Sequence, residues 1–597
     1  MPGTTPLSES VTATREAPAT SDAAFEKLTP EAADVLNLCA FLALDDISID
    51  MVVRGRACLP QRLRRAAADP ADLADSLSCL RLYALAEVDA DRLSVAPDVQ
   101  AAARERLGPD EAAEWARAAV GVVVESLPPD ADGDEAYWQA WEGLHAHAVA
   151  AARHAEALGV RPEEAAYLLN AAGVFLVSRG EPEGARSVLE SALRIYESAP
   201  EPRPDRIAAA NYNLAAALKD VGDLPGARVC LEEALRITEE SLGADHPNAG
   251  VMASDLGDVL LDLGAPAEAK DCFEQALNGN QRALGPDHPD VAACLNSLGE
   301  ALRQLGQPVE AKERFERAVT INEAAYGPDH PEVAASVGNV GLALRALGDF
   351  AGARACYERA LKIDEAALGP DDIDVARDLN NLGEVLHELG ELPAARRCYE
   401  RALPAVEAWL GPEDPHVADC LTNLGSLLDD LGDGDGARNC HQRALAIAEA
   451  AFGPDHPHLA AFANNLGEVL RDDGDLEGAW SCFDRALRID SATYGDDHPN
   501  VAVDLNNMGL VLHAGGELQA ALDCLQRAAE IDSAVYGTDH PKIAVHSNNV
   551  ADVLRDAGEL DGARVCYQRA YDIFRKSLGE GHPTTTVVRD KLASLGR

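Results

Sequence analysis

Aromatic residues make up only 5% of this 597-residue chain, and basic residues are scarcer than acidic ones, with 51 Lys plus Arg against 101 Asp plus Glu. The net charge of −50 disfavours a general binder of nucleic-acid phosphates or of anionic membrane surfaces, and it favours a basic or mixed-charge partner. No stretch approaches the roughly 18 consecutive apolar residues of a membrane span. The first 25 residues, rich in Ser, Thr, Pro and Ala, lack the apolar run of a secretory signal, so residues 1–25 read as a disordered tail and the protein as cytoplasmic. Thirteen cysteines contain no CxxC pair, which removes the zinc and thioredoxin patterns. GxSxG and HExxH are absent as well, and no His clusters with Cys or Asp outside a periodic register. The expectation is therefore no catalytic residue, no metal and no cofactor.

What is abundant is small and apolar. Hydrophobic residues reach 47%, mostly Ala, Leu and Val, which suits closely packed helices. They are arranged on a ruler of 42 residues. Stepping by 42 from His246 lands on His288, His330, Asp372, Asp414, His456, His498, His540 and His582. A second marker falls on Asn213, Asp255, Ser297, Asn339, Asn381, Asn423, Asn465, Asn507 and Asn549. Cys230, Cys272, Cys356, Cys398, Cys440, Cys482, Cys524 and Cys566 share one register, as expected of a small buried helix position rather than of disulfides. Ten units are read from about 166 to 585.

The recurring phrase "LGPDHPDVA" (284–292) is punctuation between units. Gly285 is placed to close one helix, Pro289 suits the first turn of the next, and Asp287 or His288 supplies the cap before it. A catalytic or metal role for the histidine is disfavoured, because Asp372 and Asp414 replace it without disturbing the register.

Within "VARDLNNLGEVLHELGELPAARRCYERALPAVEAWLG" (375–411), apolar residues recur at spacings of three and four in two runs broken at Gly390, which predicts helix, turn, helix. The pattern Leu382, Gly383, Leu386, Gly390, Ala395, Tyr399, Ala402 resembles the tetratricopeptide repeat, in its longer variety found in kinesin light chains and many bacterial signalling proteins. The resemblance implies an all-α, right-handed superhelix of about ten helix-turn-helix units that holds a protein or extended peptide on the face lined by the first helices.

The groove positions implied are Asn213, Asn339, Asn380, Asn381, Asn423, Asn464, Asn465, Asn506, Asn507, Asn548 and Asn549. An amide can both donate to and accept from a peptide backbone; the competing reading is that these amides fix the packing of neighbouring repeats. Acids at Glu300, Glu384, Glu468 and Asp552 recur every 84 residues with Arg303, His387, Arg471 and Arg555 three residues on. These are either solvated i,i+3 pairs or a charge ladder that selects the partner. Lys219, Arg345 and His513 hold the basic position in other units. Trp409 and Trp480 break the pattern, standing where neighbouring units have Ala367 and Ala451, and Arg438 and Leu522.

Residues 26–160 do not follow the ruler. A capped helix from "LTPEAADVL", a further helix, a short hairpin at about 84–96 and another helix are expected, with two more at about 110–126 and 134–158. That order resembles the winged-helix piece between nucleotide-binding domain and repeats in STAND signalling ATPases. No GxxxxGK[ST] occurs in this sequence, and Ala96 and Pro97 stand where the family commonly has a nucleotide-sensing His, so no nucleotide binding is expected. The boundaries read as a winged-helix-like domain over 26–109, a connector over 110–165, repeats over 166–585 and a capping helix over 586–597. Function reads as a non-enzymatic binding module. Alternatives are a STAND-like sensor subunit for a separate effector, and a winged-helix regulator using Arg54, Arg56, Arg62, Arg64 and Arg65 on DNA.

Overall fold

Each repeat becomes a helical hairpin because its sequence carries two stop signals. In the repeat from Ile373 the first helix, Ile373–Glu388, ends before Gly390, whose φ of 75° is cheap only for glycine. The second, Leu392–Leu410, ends at Gly411 with φ 95°. Asp414 then caps Pro415–Asp430 by accepting from the His416 N–H at 2.9 Å. Asp372 does the same for the Asp374 N–H, and elsewhere a histidine takes over: Nδ1 of His288, His330 and His498 accepts the amide two residues on at 3.2 Å. Asp and His interchange at this position because both present an acceptor to the first helical turn.

The computed structural model describes residues 22–89, 91–128 and 135–595. The tail expected over 1–25 lies outside these up to residue 21; Asp22–Phe25 forms a helical turn with the Arg106 guanidinium 3.8 Å over the Phe25 ring. The described chain divides into two compact units, Met1–Gly306 and Gln307–Arg597.

The first unit begins with Pro30–Cys39, capped by Thr29, and carries a three-stranded antiparallel sheet in which Arg92–Ser94 lies between Ile47–Ser48 and Glu87–Asp89. The hairpin of Glu87–Asp89 and Arg92–Ser94 falls within the expected span of about 84–96. Pro109–Val124 and Glu135–Leu158 follow, close to the expected bounds. His147 on the second of these is fully buried: its Nδ1 accepts from the Ala43 N–H and its Nε2 donates to the Asp46 carbonyl, each at 3.2 Å. Helical hairpins then run from Pro162.

The second unit opens with Pro308–Tyr326 and continues through hairpins from Pro331 to Ser577, closed by Pro583–Ser594. Each helix packs on the next in sequence, and the first helices of successive hairpins, from Ile373–Glu388 to Pro541–Asp556, also touch one another. No helix among the described residues is long and apolar enough to cross a membrane.

Burial follows a plan that recurs in several hairpins. A glycine on the first helix receives a ring from the second, sixteen residues on: Gly341 with Tyr357, Gly383 with Tyr399, Gly467 with Phe483. The cysteine register behaves differently from the expected buried position. Cys230 is buried, whereas Cys272, Cys356, Cys398, Cys440, Cys482, Cys524 and Cys566 are half-buried. All thirteen are free thiols.

One ring slot holds an imidazole. His441, 2% exposed, occupies the place of Tyr399 and Phe483 against Gly425. Burial pushes its pKa down to about 4, and its Nδ1 has no hydrogen-bond partner among the described residues. Between pH 4 and 6.5 the unfolded imidazole takes a proton that the folded one refuses, so stability falls as pH drops through that window. His441→Phe is expected to stabilise the second unit by about 1–2 kcal/mol at pH 7, with a larger gain at pH 5, read by thermal melts at both pH values.

Candidate functional site

The Asn positions lie where the first helices of successive hairpins meet, and three of them donate to the preceding repeat. The Asn213 amide donates to Asn170 Oδ1 at 3.1 Å, Asn423 to Asn380 Oδ1 at 3.2 Å, and Asn549 to Asn506 Oδ1 at 3.0 Å. In each case donor and acceptor are 43 residues apart, one repeat plus one residue. The doubled Asn at 506/507 and 548/549 have divided roles, the first accepting from the following repeat and the second donating to the preceding one. The terminal helix ends the series with Lys591, whose Nζ donates to Asn548 Oδ1 at 3.2 Å and Asp552 at 2.7 Å.

Around one of these junctions several groups converge. Glu384 accepts from the Asn423 amide at 3.0 Å and pairs with the Arg345 guanidinium, while His387 Nε2 meets Asp430 at 2.6 Å. Arg345, Glu384, His387 and Asn423, with Phe350, Glu388, Tyr399 and Ser426, line a cavity of about 420 Å³ on the first-helix face. Both charge signs are present, and the side chains are held by one another, so the cavity is a preorganised polar surface.

The other expected residues are distributed along the face. Asn464 donates to Asp504 at 2.7 Å, Asn507 to Glu468 at 3.5 Å, and Asn548 to Asp552 at 3.3 Å. Asn506 Oδ1 also meets His546 Nδ1 at 3.2 Å. His513 Nε2 meets Asp556 at 2.9 Å, Arg555 pairs with Asp552 and Asp556, and Arg471 pairs with its neighbour Asp472 at 2.8 Å. Asn339, Asn381 and Asn465 are half-buried in the same register. Asn213 and Arg303, which pairs with Glu300 at 2.7 Å, belong to the first unit. Trp409 is 58% exposed and donates to the Asp371 carbonyl at 2.9 Å, away from this cavity.

Sequence reasoning missed Asp430 and Asp556 as partners of His387 and His513; both lie 43 residues on, the spacing that also joins the amides. It missed a second series, 14 residues apart, that joins each hairpin to the next. Asn322 donates to Ser336 at 3.0 Å, Asp532 meets His546 at 2.9 Å, and Asp364 faces Asp378 as Asp490 faces Asp504.

In the first unit, the basic stretch 54–65 is engaged within the fold. Arg62 grips the buried Asp34 carboxylate through Nε and Nη2 at 2.7 and 2.5 Å, Arg64 donates to the Leu59 carbonyl, and Arg54 pairs with Asp50 at 2.6 Å.

The tetratricopeptide repeat family model matches eight overlapping stretches, from 206–282 through to 503–576. The chain belongs to the tetratricopeptide repeat family. No curated protein matches the sequence. Among solved structures, the chain is similar to BtubC (BKLC) from P. vanneervenii, at 22% identity over 39% of this chain and 92% of that one, with a TM-score of 0.34. A signal transduction ATPase with a tetratricopeptide repeat sensor from Pyrococcus horikoshii is similar at 14% identity over 78% of this chain and 64% of that one, TM-score 0.46. A Rap protein complexed with Competence and Sporulation Factor is similar at 16% identity over 67% and 99%, TM-score 0.40.

Proposed function

We propose that this tetratricopeptide protein is a non-enzymatic, cytoplasmic binding module that seats an extended peptide segment of a partner on the first-helix face of its second unit. The observation that carries the reading is the polar cavity of about 420 Å³ bounded by Arg345, Glu384, His387 and Asn423. Repeat arrays present such faces to partners. Amides at Asn380 and Asn423 offer both donor and acceptor chemistry to a backbone, and Arg345 supplies positive charge against an acidic background. We also propose the division into a winged-helix-like domain over 26–109, a connector over 110–165, repeats over 166–585 and a C-terminal cap.

A second reading, that of a sensor subunit acting on a separate effector, is favoured by His147. It ties the segment leading into the first strand to the helix that precedes the repeats, so both regions share one buried contact.

The test is selection of peptides from a random display library on the full chain, followed by affinity measurement of the enriched peptides. Arg345→Glu combined with His387→Glu is expected to weaken them at least tenfold, about 1.4 kcal/mol or more. Equal affinity for the variant and the parent chain would sink the groove reading.

A further inference from the structure

We propose that a second binding site, independent of the first-helix face, lies between Leu476–Tyr494 and Leu518–Tyr536 and takes the guanidinium of an arginine side chain from a basic, apolar peptide. A cleft of about 640 Å³ opens there, with Trp480, Leu476 and Gly515 among its lining and Glu477, Glu517 and Asp523 at its border. No basic residue lines it among the described residues.

The repeats themselves show what fits. At the position of Trp480, other repeats carry Arg186, Arg228, Lys270, Lys312, Arg354, Arg396, Arg438 and Arg564. Several of these arginines reach an acid in or near the turn of the following repeat, while Arg396 and Arg564 pair with Glu400 and Asp561 of their own helices. Arg354 meets Glu391 at 2.8 Å, Arg186 meets Asp223 at 3.9 Å, and Arg228 meets Glu268 at 2.8 Å. Glu391 and Asp223 lie 37 residues beyond their arginines, and Glu517 lies 37 beyond Trp480. The eighth repeat therefore keeps the acid and replaces the cation with an indole that is 37% exposed.

The opening has a second cause. Leu263, Leu305, Leu347, Leu389 and Leu431 precede the turn glycine in earlier repeats, and Gly515 stands in their register. Its φ of −76° makes no demand for glycine. What the residue contributes is space at the edge of the cleft. A ligand guanidinium stacked on Trp480 and paired with Glu517 restores the arrangement that Arg354 and Glu391 make internally. Its apolar neighbour would cover Leu476.

The probe is acetyl-Arg-Leu-amide, titrated into the full chain carrying 5-fluorotryptophan and followed by fluorine NMR. The five tryptophans are assigned by single Trp→Phe exchanges. The expected result is a saturable shift of the Trp480 resonance, at least tenfold weaker with the neutral citrulline analogue and in Glu517→Gln. Gly515→Leu, which retains every charge and places the residue of five other repeats, is expected to remove the shift. A Trp480 signal that stays fixed up to about 10 mM peptide, tenfold above a millimolar Kd, overturns the proposal. So does one that moves equally with citrulline or in Gly515→Leu, because that outcome marks general attraction to an acidic surface.

Discussion

Raising the pH from 5 to 7 is expected to destabilise the second unit, and Asp378→Asn with Asp504→Asn is expected to abolish most of that loss. Asp364 and Asp378 are each 1% exposed, Asp490 is 3% and Asp504 fully buried. Within each pair the carboxyls face one another across the junction between hairpins. Burial is the main force pushing all four pKa values up; the partner's like charge adds to it at Asp378 and Asp504, whereas at Asp364 and Asp490 the hydrogen bond to the partner offsets part of it. Each pair is therefore held together by a proton.

The sign follows from linkage. Below about pH 4 the carboxyls are protonated in both folded and unfolded chains. As pH climbs, the unfolded carboxyls ionise first while the folded pair resists, so stability declines towards the raised folded values. One retained proton per pair costs about 1.4 kcal/mol per pH unit, or about 3 kcal/mol per pair between pH 5 and 7. An amide at 378 or 504 supplies the shared N–H permanently. At 504 it can still accept from Asn464, which now donates to Asp504 at 2.7 Å. The measurement is the melting temperature of parent and double variant across pH 5 to 8. General self-repulsion of an acidic chain lowers both curves, so the difference between them isolates the pairs. Parallel curves would refute the shared proton.

These pairs also show where the sequence stops being legible. Helix, turn and cap follow from local chemistry, so Gly390, Gly411 and Asp414 could be placed from spacing alone. The hairpin plan and the Asn register came from periodicity for the same reason. Contacts between repeats are different, because a 42-residue period conceals what happens at 43 or 14. The Asn positions read equally well as groove or as mortar until the 43-residue bonds of Asn213, Asn423 and Asn549 are seen, and those bonds give the amides a packing role beside any ligand role. The 14-residue series was hidden further, since its chemistry changes at each junction. It is Asn with Ser at 322 and 336, Asp with Asp at 364 and 378, and Val with Cys at 406 and 420. A repeat slipped by one junction would bury an unmatched polar group, so the variation itself opposes misregistered stacking. Periodicity registers what the repeats have in common, and this device depends on their differences.

Removing the ring from one hairpin is expected to cost the second unit about 3–5 kcal/mol, as in Tyr399→Ala, whereas Tyr399→Phe is expected to be near neutral. Tyr399 is 2% exposed, and its ring fills the space where Gly383 lacks a side chain; a Cβ built on Gly383 falls 2.6 Å from its Cε1. Another hairpin of the unit places Phe483 in the same slot with the same spacing to Gly467, so the hydroxyl is dispensable to packing. Gly383→Val attacks the junction from the other helix. The ring cannot retreat, because the second helix carrying it is fixed on its far side by the next hairpin, and the expected cost is about 1–3 kcal/mol or more. Nearest-neighbour coupling in a repeat array predicts how the loss spreads. Hydrogen exchange should show protection falling most in Ile373–Glu388 and Leu392–Leu410, less in the hairpins on either side, and least at Pro541–Asp556. A loss of equal size in every hairpin of the unit would instead mean that the unit unfolds as a single cooperative body, and that the glycine and ring pairs act as one core.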